Sequence, residues 1–438
     1  MYLRRLAVEN IRSISKLSLE FEKGAEAGWH VILGLNGSGK SSLVRAFALL
    51  MMGEKEVYAT RQEFRAWISE KKNKATIDGS ISMDGIFDDL TGSGPPPKKT
   101  ITLQVAMERE NLSNPVELKF SGQGFQRTIW GNGAGWFSAS FGPYRRFSGG
   151  DNKYDRLFVT NKRLAPHLTA LGEDVALTDA MTWLSNLFTK ALIEEKRSAN
   201  SGADELYNLI LAFLNSTGFL PHKSKIHMVH SEAVLVQDGN GNSVPLDQLS
   251  DGYRSALSLV IELIRQMYEI YGHEKFLSAL KGDPGIIKVP GVVMIDEIDV
   301  HLHPTWQKEI GHWLTRCFPN IQFIVTTHSP IICRAVASEN GEFRGSIWKL
   351  PTQGTDEEFK RVDDLEMSQL IYGNLLDAYS TELFGKHVIR SNMGEKKLER
   401  LAELNMKALE DDLSLAEEEE RQLLRATFPA KAGFFKKT

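Results

Sequence analysis

The feature that most constrains this chain is a glycine-rich segment, residues 34–41, which reads GLNGSGKS and fits G-x-x-x-x-G-K-[ST]. An apolar run precedes it and apolar residues at helical spacing follow it, which predicts a strand, a tight turn and a helix from Gly39 to about Met52. Glycines allow successive backbone N–H groups to point inward at the positive end of the helix, where they bind anions. Any fold of this chain must therefore present a phosphate-binding turn between a strand and a helix.

The side chains of this turn have distinct expected roles toward a bound nucleotide. Lys40 would place a positive charge on the β- and γ-phosphates, and the Ser41 hydroxyl would be a ligand for Mg²⁺. The residues expected to bind ATP here are Asn36, Gly37, Ser38, Gly39, Lys40, Ser41 and Ser42. A chance glycine-rich turn is the alternative, and the motifs farther along the chain argue against it.

A second apolar segment, residues 292–295, ends in two carboxylates, Asp296 and Glu297. The tip of a buried strand that faces the phosphate turn is where a carboxylate for Mg²⁺ is needed, and Asp296 fits that position. Glu297 is then placed to polarise the attacking water. A surface turn that is merely acidic explains neither the apolar run nor its position after the phosphate turn.

A third apolar segment, residues 321–327, ends at His328. A histidine at a strand tip that follows the Asp296 strand can donate to the γ-phosphate or hold the attacking water. A lone histidine is more often structural, but this position favours a catalytic role. We therefore expect Glu297 and His328 to be catalytic, and Ser41 and Asp296 to bind the metal.

The composition is that of an ordinary globular protein, with 438 residues of which 42% are hydrophobic and 25% charged. No apolar stretch approaches the roughly 20 residues needed to cross a bilayer, so we expect a cytosolic protein without a membrane partner. The net charge of -4 argues against an overall polycation that coats nucleic acid. Two cysteines, Cys317 and Cys333, are too few for a disulfide framework and are expected in the core.

The order of patterns along the chain predicts an α/β fold with a central, mainly parallel sheet around the phosphate turn. Short strands at 101–110, 116–120 and 125–130 indicate an antiparallel β subdomain, and a helical insertion follows it. After Pro351 the chain is charged and helical, and Ser414 with Glu417 forms a capping box for the last helix. The expected division is 1–165, 166–230, 231–350 and 351–438.

In order, the segments GLNGSGKSS, LSDGYRS, VVMIDEID with HLHP, and TTHSP resemble the motifs of an ABC-type ATPase head. Within the AAA family, they are similar to the RecF, SMC and OLD branch rather than to membrane transporters. The resemblance covers roughly residues 1–350 and implies an ABC-ATPase head that uses ATP and Mg²⁺. The overall plan is most similar to the standalone anti-phage defence ATPases of Septu and retron systems, the PtuA type.

The segment LSDGYRS resembles the signature motif, whose serine and helix N-terminus bind the γ-phosphate of ATP held by the other subunit. Ser250 and Gly252 match that motif, while Asp251 stands where transporters have glycine. Asp299 would be the D-loop residue at the dimer interface. The resemblance thus implies a homodimer or larger homo-oligomer, because Lys40 and Ser250 of one copy serve different nucleotides.

Other segments carry weaker expectations. His301 and His303 in HLHP invite a zinc interpretation, but they follow the paired carboxylates as in this branch, which disfavours it. Residues 141–146 resemble a segment common in anti-phage ATPases, and Arg145 is a candidate for a phosphate or interface contact. No Q-loop role is assigned to the glutamines Gln104, Gln123 and Gln126. The histidines His222, His227 and His230 are expected to be strand and loop residues.

Two functions of different class remain open. The first is a defence ATPase that controls a separate nuclease, of the HNH type, through a docking surface at residues 363–438. The second is a RecF-like, ATP-dependent DNA-binding protein of repair or recombination. DNA or retron nucleic acid is a candidate partner of the chain. Basic residues that keep the second open are Lys71, Lys72, Lys98, Lys99, Arg145 and Arg146. A third alternative is very slow hydrolysis, with ATP as a structural clamp.

Overall fold

The computed structural model divides the chain into two compact units, residues 1–372 and 373–438. The described residues are 1–93, 100–112, 114–131, 133–143, 161–172, 178–197, 202–220, 224–229, 234–249, 251–283, 285–355, 357–374, 392–410 and 413–428. None of the helices within these ranges is both long and apolar enough to cross a bilayer. The four-segment division expected from the sequence stays a prediction.

The first unit contains an antiparallel sheet whose strands lie in the order β2-β1-β4-β5-β6. These strands are β1 (Tyr2–Ile11), β2 (Ile14–Glu20), β4 (Lys74–Ser82), β5 (Thr100–Glu108) and β6 (Glu117–Gln123). No strand is predicted from the sequence over residues 74–82, yet Ile77 and Ile81 place one face of β4 in the core. Helix α1 (Lys40–Met51) packs on that face, where a Cβ at Gly79 would lie 2.4 Å from a methyl carbon of Leu50.

The second sheet of this unit has the order β14-β13-β3-β12-β11-β7. Its strands are β3 (Gly28–Leu33), β7 (Ser138–Phe141), β11 (Gly291–Ile295), β12 (Ile321–Thr327), β13 (Gly345–Lys349) and β14 (Lys360–Arg361). The pairs are parallel except that β14 is antiparallel to β13. Every residue of β3, β11 and β12 is buried, which is typical of parallel strands with both faces covered. The mainly parallel sheet that the sequence predicts is confirmed, and its carboxyl edge collects the ends of these strands.

Helix α1 lies between the two sheets and begins directly after the glycine-rich turn. It starts and ends one residue inside the predicted boundaries. Apart from Ser41 and Arg45, every residue of the helix is buried. Its apolar side chains join one core with Ile77 of β4 and Met294 of β11. Packing on both sides therefore fixes the N-terminus of α1 at the carboxyl edge of the parallel sheet.

The remaining helices of the first unit surround these sheets. They are α2 (Glu54–Ala59), α3 (Leu168–Leu171), α4 (Thr178–Arg197), α5 (Ala203–Ser216), α6 (Asp251–Leu280), α7 (Pro304–Cys317) and α8 (Asp364–Tyr372). A small antiparallel sheet consists of β8 (Lys225–Val229), β9 (Val234–Gln237) and β10 (Ser243–Pro245). Helix α6 has a non-helical residue at Gly272, with φ 76°.

The prediction of a strand over residues 125–130 is wrong. This segment begins with a 3₁₀ turn at Phe125–Arg127, preceded by Gly124 with φ 77°. The Thr128 hydroxyl donates to the Gly124 carbonyl oxygen at 2.8 Å and closes the turn locally. Trp130 then packs edge-on against Phe125. The segment contains aromatic and β-branched residues typical of a strand, but a local side-chain hydrogen bond competes with strand pairing here.

Both cysteines are core residues, as predicted. Cys317 ends α7, and Cys333 lies in the 3₁₀ segment Pro330–Val336. Each is a buried free thiol, and burial raises the pKa of both. Because the thiolate is the reactive form, these cysteines are unreactive packing groups.

The second unit contains two helices, α9 (Asn392–Glu410) and α10 (Leu415–Thr427). The predicted capping box of α10 is confirmed: the Ser414 hydroxyl accepts from the Glu417 N–H, and the Glu417 carboxylate accepts from the Ser414 N–H at 3.0 Å. A small core joins the helices through Leu401, Leu404 and Leu424.

Candidate active site

The turn between β3 and α1 has the backbone conformation that phosphate binding requires. Gly37 and Gly39 have φ of 85° and 101°, in the left-handed region that favours glycine. A Cβ at Gly39 would lie 2.8 Å from Ile14 Cγ1 and 3.1 Å from Ser13 Oγ. The turn is therefore closely packed beneath the β1–β2 connection and has no room for a side chain at this glycine.

Lys40 begins α1 and is only 4% exposed. Its ammonium group donates to the carbonyl oxygens of Gly34 at 2.8 Å and Leu35 at 3.1 Å, both in the turn itself. Burial lowers the pKa of Lys40, and the negative charges of Glu297, Asp296 and Asp299 act in the opposite direction. Lys40 is therefore a buried cation at the turn, and the negative charges of three carboxylates act on it.

The serines of the turn differ in exposure and in hydrogen bonding. Ser38 is 7% exposed, and within the described part of the chain its hydroxyl oxygen has no hydrogen-bond partner. Buried polar groups are normally hydrogen-bonded, so a buried hydroxyl without a partner suits a site that binds a polar ligand. Ser41 is half-buried beside Lys40, and Asn36 is exposed at the tip of the turn. This donor set suits an anion and also offers a hydroxyl ligand for a hard metal ion.

Asp296 and Glu297 follow β11, at the carboxyl edge next to β12. Asp296 is 2% exposed and accepts a hydrogen bond from the Thr326 hydroxyl at 2.6 Å. Glu297 has φ 45°, a left-handed conformation that is uncommon for residues other than glycine. Its N–H donates to the oxygen of the same Thr326 hydroxyl at 2.9 Å. The end of β12 thus holds both carboxylate residues.

The Asp299 carboxylate lies between the side chains of Thr327 and His328. The Asp299 carboxylate accepts from the Thr327 hydroxyl through one oxygen and lies 3.4 Å from His328 Nε2 through the other. Asp299 is 4% exposed, whereas the His328 side chain is 54% exposed. Gln307 of α7 joins the same region, because its amide donates to the Asp299 carbonyl and accepts from the Ser329 hydroxyl at 2.8 Å.

Gly252 lies in the first turn of α6, against the loop that follows Glu297. A Cβ at Gly252 would lie 2.7 Å from the His301 carbonyl oxygen, closer than van der Waals contact allows. His303 caps α7, with its Nδ1 accepting from the Thr305 N–H at 3.3 Å. Within the described ranges, no group of three histidine, cysteine, aspartate or glutamate side chains is arranged to hold a metal ion.

Several residues singled out in the sequence lie outside the described residues. They are Lys98, Lys99, Arg145, Arg146, His222, His230 and Ser250. His227 is exposed on β8, and Lys71 and Lys72 are exposed after the 3₁₀ turn that precedes β4.

The structure brings two residues to the phosphate turn that the sequence did not indicate. Ser13 lies against Gly39, as described above, and the Gln353 amide donates to the Gly37 carbonyl oxygen from the segment after β13. Neither belongs to a periodic pattern or to a motif. Only their long-range contacts identify them.

Family models match two segments of the chain. Residues 5–129 match the model described as "AAA domain", and residues 158–334 match "AAA domain, putative AbiEii toxin, Type IV TA system". Together they include the phosphate turn, both carboxylates that follow β11, and His328.

Individual proteins match over different lengths. The chain is 26% identical over 379 residues to "Septu protein PtuA" of Bacillus mycoides strain KBAB4, which covers 80% of this chain and 43% of that protein. It is 34% identical over 171 residues to "Retron Ec83 probable ATPase" of Escherichia coli, which covers 37% of this chain and 29% of that protein. The chain therefore spans less than half the length of these relatives.

Among solved structures, an SMC head bound to the C-terminal winged-helix domain of ScpA is 13% identical. The match covers 84% of this chain and 99% of that chain, with a TM-score of 0.47.

Proposed function

We propose that this chain, an ABC-type ATPase related to the Septu and retron ATPases, uses ATP binding and hydrolysis to control a separate defence nuclease. The observation that carries the ATPase part is the carboxyl edge of the parallel sheet, where one strand end holds Asp296 and Glu297. The negative charges of both carboxylates act on Lys40 and raise its pKa against the effect of burial. The relatedness to Septu and retron proteins supports the defence part.

Each residue of the edge has a step in ATP hydrolysis. A water oxygen forms a bond to the γ-phosphorus, and the bond from that phosphorus to the β–γ bridging oxygen breaks, leaving ADP and phosphate. Glu297 takes a proton from the attacking water, and His328 donates toward the γ-phosphate oxygens. Lys40 and the N–H groups of the turn hold the β- and γ-phosphates. Mg²⁺ would neutralise charge on the phosphate oxygens, held by Ser41 and by Asp296.

The working form is proposed to be at least a homodimer with composite sites. In this arrangement Ser250 and the N-terminus of α6 meet the γ-phosphate bound by the partner copy, and Asp299 lies at the interface. Within one copy, the N-terminus of α6 lies against the loop that carries Asp299, where a Cβ at Gly252 would lie 2.7 Å from the His301 carbonyl oxygen.

The C-terminal helical region is the proposed docking surface for a nuclease of the HNH type. The second unit buries few side chains, and large apolar groups on both its helices remain exposed. They are Met393, Met406, Leu409, Leu415 and Leu423. Exposed apolar groups of this kind mark protein interaction sites.

The test is the mass in solution, with ATP and Mg²⁺, of the wild type, Lys40→Ala and Glu297→Gln, each alone and with the protein encoded by the adjacent gene. Glu297→Gln is expected to lower ATP turnover by about 100- to 10,000-fold and to accumulate a nucleotide-bound dimer. Glu309→Gln, which changes an exposed carboxylate on α7, is the matched control.

The outcomes separate the parts of the proposal. A trapped assembly that holds a nuclease supports both the ATPase mechanism and the defence role. A trapped dimer that captures DNA and binds no nuclease would replace the defence role with the DNA-binding alternative. If neither Lys40→Ala nor Glu297→Gln changes assembly or turnover, the composite-site mechanism is wrong.

A further inference from the structure

We propose that Thr326 is a positioning residue for hydrolysis, whose single hydroxyl aligns Asp296 with Glu297 and thereby sets the turnover rate more than the affinity for nucleotide. Thr326 lies in the TTHSP segment but has no role assigned to it there, and it touches neither phosphate nor water in the proposed mechanism. The inference rests on the proposed ATPase function and concerns how its two carboxylates are held.

The hydroxyl of Thr326 makes two hydrogen bonds of opposite sense. It donates its proton to Asp296 Oδ1 at 2.6 Å, and its oxygen accepts from the Glu297 N–H at 2.9 Å. Thr326 is fully buried at the end of β12. One hydroxyl has one proton to donate, so these partners fix its rotation as well as its position. The hydroxyl therefore ties a side chain of one residue to the backbone of the next.

The backbone at Glu297 needs this support. Its φ of 45° is sparsely populated by residues with side chains, and such conformations persist only where the surroundings enforce them. Thr326 contacts the segment a second time, because its carbonyl oxygen accepts from the Ile298 N–H at 3.2 Å. On the other side, the Asp296 N–H donates to the Phe141 carbonyl oxygen at 2.8 Å. Of these contacts, the Thr326 hydroxyl alone reaches both the Asp296 carboxylate and the Glu297 peptide.

The next residue repeats the arrangement on another carboxylate. The Thr327 hydroxyl donates to the Asp299 carboxylate and accepts from the Ser329 N–H at 2.9 Å. The two threonines at the end of β12 therefore have different partners. Thr326 is hydrogen-bonded to Asp296 and Glu297, and Thr327 is hydrogen-bonded to Asp299, the residue expected at the dimer interface. A change in the position of Glu297 is therefore expected from substitution of Thr326 and not from substitution of Thr327.

A purely structural hydroxyl would behave differently from a positioning one. Loss of a buried structural hydroxyl lowers thermal stability, and activity falls only as the protein unfolds. Loss of a positioning hydroxyl lowers kcat at temperatures where the protein is fully folded, since a small displacement of a catalytic group is costly. The conservative Thr326→Ser variant keeps the hydroxyl and removes only a methyl group.

The experiment compares Thr326→Val, Thr326→Ser and the matched control Thr128→Val in the full chain. Thr128 is also fully buried and hydrogen-bonded through its hydroxyl, but it lies in the antiparallel subdomain. The measurements are kcat, KM, the Kd of a fluorescent ATP analogue with Mg²⁺, and the Tm without nucleotide. For Thr326→Val we expect kcat to fall by about 10- to 100-fold, as for other groups that orient metal-binding carboxylates.

The same variant is expected to keep its Kd for the analogue within about threefold, because the phosphate turn is intact. Thr326→Ser should restore kcat, and Thr128→Val should lose Tm without losing kcat. The inference is overturned if Thr326→Val keeps wild-type kcat, or if its kcat, Kd and Tm change together and serine restores none of them. An inactive wild type indistinguishable from Glu297→Gln would instead sink the proposed function itself.

Discussion

At the residue scale, the candidate site depends on polar groups that are buried before any ligand arrives. Lys40 is nearly inaccessible, and its ammonium group donates to carbonyl oxygens of its own turn. Burial lowers the pKa of Lys40, which means that the folded protein without nucleotide holds this charge at a cost. A polyphosphate would remove that cost by pairing with the ammonium group.

Lys40→Ala should therefore separate stability from binding. We expect the Kd for ATP to rise by at least about 10- to 100-fold, because a hydrogen bond to a charged group is lost. The Tm without nucleotide should stay level or rise, since a buried charge has been removed. Thermal scans with and without ATP and Mg²⁺ measure both effects, with Lys55→Ala on the exposed face of α2 as control. A large drop in Tm without nucleotide would show that Lys40 is a structural cation.

At the element scale, strand β3 delivers the phosphate turn and carries a buried histidine. His30 is hydrogen-bonded to the Ser346 hydroxyl at 2.8 Å and to the Glu26 carbonyl oxygen at 2.7 Å. Desolvation lowers the pKa of His30 from 6.5 to about 4, so the ring is neutral at physiological pH. The neighbouring strand β13 supplies Ser346, which ties the histidine to the register of the sheet.

Stability should depend on pH through this histidine. As pH falls below 6.5, the unfolded chain takes up a proton that the folded chain refuses until about pH 4, so stability is complete above 6.5 and is lost across that interval. The loss attributable to His30 is about 2 kcal/mol at pH 5 and about 3 kcal/mol by pH 4. Urea unfolding of wild type and His30→Gln at pH 7, 6 and 5 measures it, with the exposed His301→Gln as control. The same pH dependence of the free energy of unfolding in wild type and His30→Gln would show that His30 is not the group responsible.

At the scale of the whole molecule, helix α6 and the loop after β11 form a single surface of the first unit. Gly252 permits their contact, because the His301 carbonyl oxygen occupies the space that a Cβ would need. In the proposed dimer this surface faces the nucleotide of the partner copy. A shift of the backbone at Gly252 would then weaken assembly and leave the phosphate turn of the same chain unchanged.

Gly252→Ala should weaken assembly more than it weakens folding. An added methyl group in a packed site destabilises by about 1–3 kcal/mol, and here it must push the α6 N-terminus away from the loop. In a Glu297→Gln background with ATP and Mg²⁺, we expect the dimer peak to shrink while ATP binding by the monomer persists. Gly85→Ala has open space around its Cβ and is the control. An unchanged dimer fraction would show that the N-terminus of α6 does not belong to the interface.

The sequence alone was sufficient for the elements that carry their own local pattern. The strands β3, β11 and β12 are mostly apolar segments, and glycines mark the turn before α1, so their ends could be placed within about a residue. The capping box of α10 was predictable for the same reason, since its two partners are three residues apart. The strand predicted over residues 125–130 is wrong because strand-forming residue types cannot show that a threonine hydroxyl closes a turn.

Only the tertiary structure could assign the contacts that join distant parts of the chain. Thr326 reaches Asp296 across 30 residues, and Gln353 reaches Gly37 across 316. A threonine at a strand end or a glutamine in a loop looks like many others in sequence, because nothing local states which backbone group lies opposite. The sequence determined which chemical groups stand at the ends of the strands. Packing between the sheets and α1 decided which of those groups meet, since a hydrogen bond depends on positions in space.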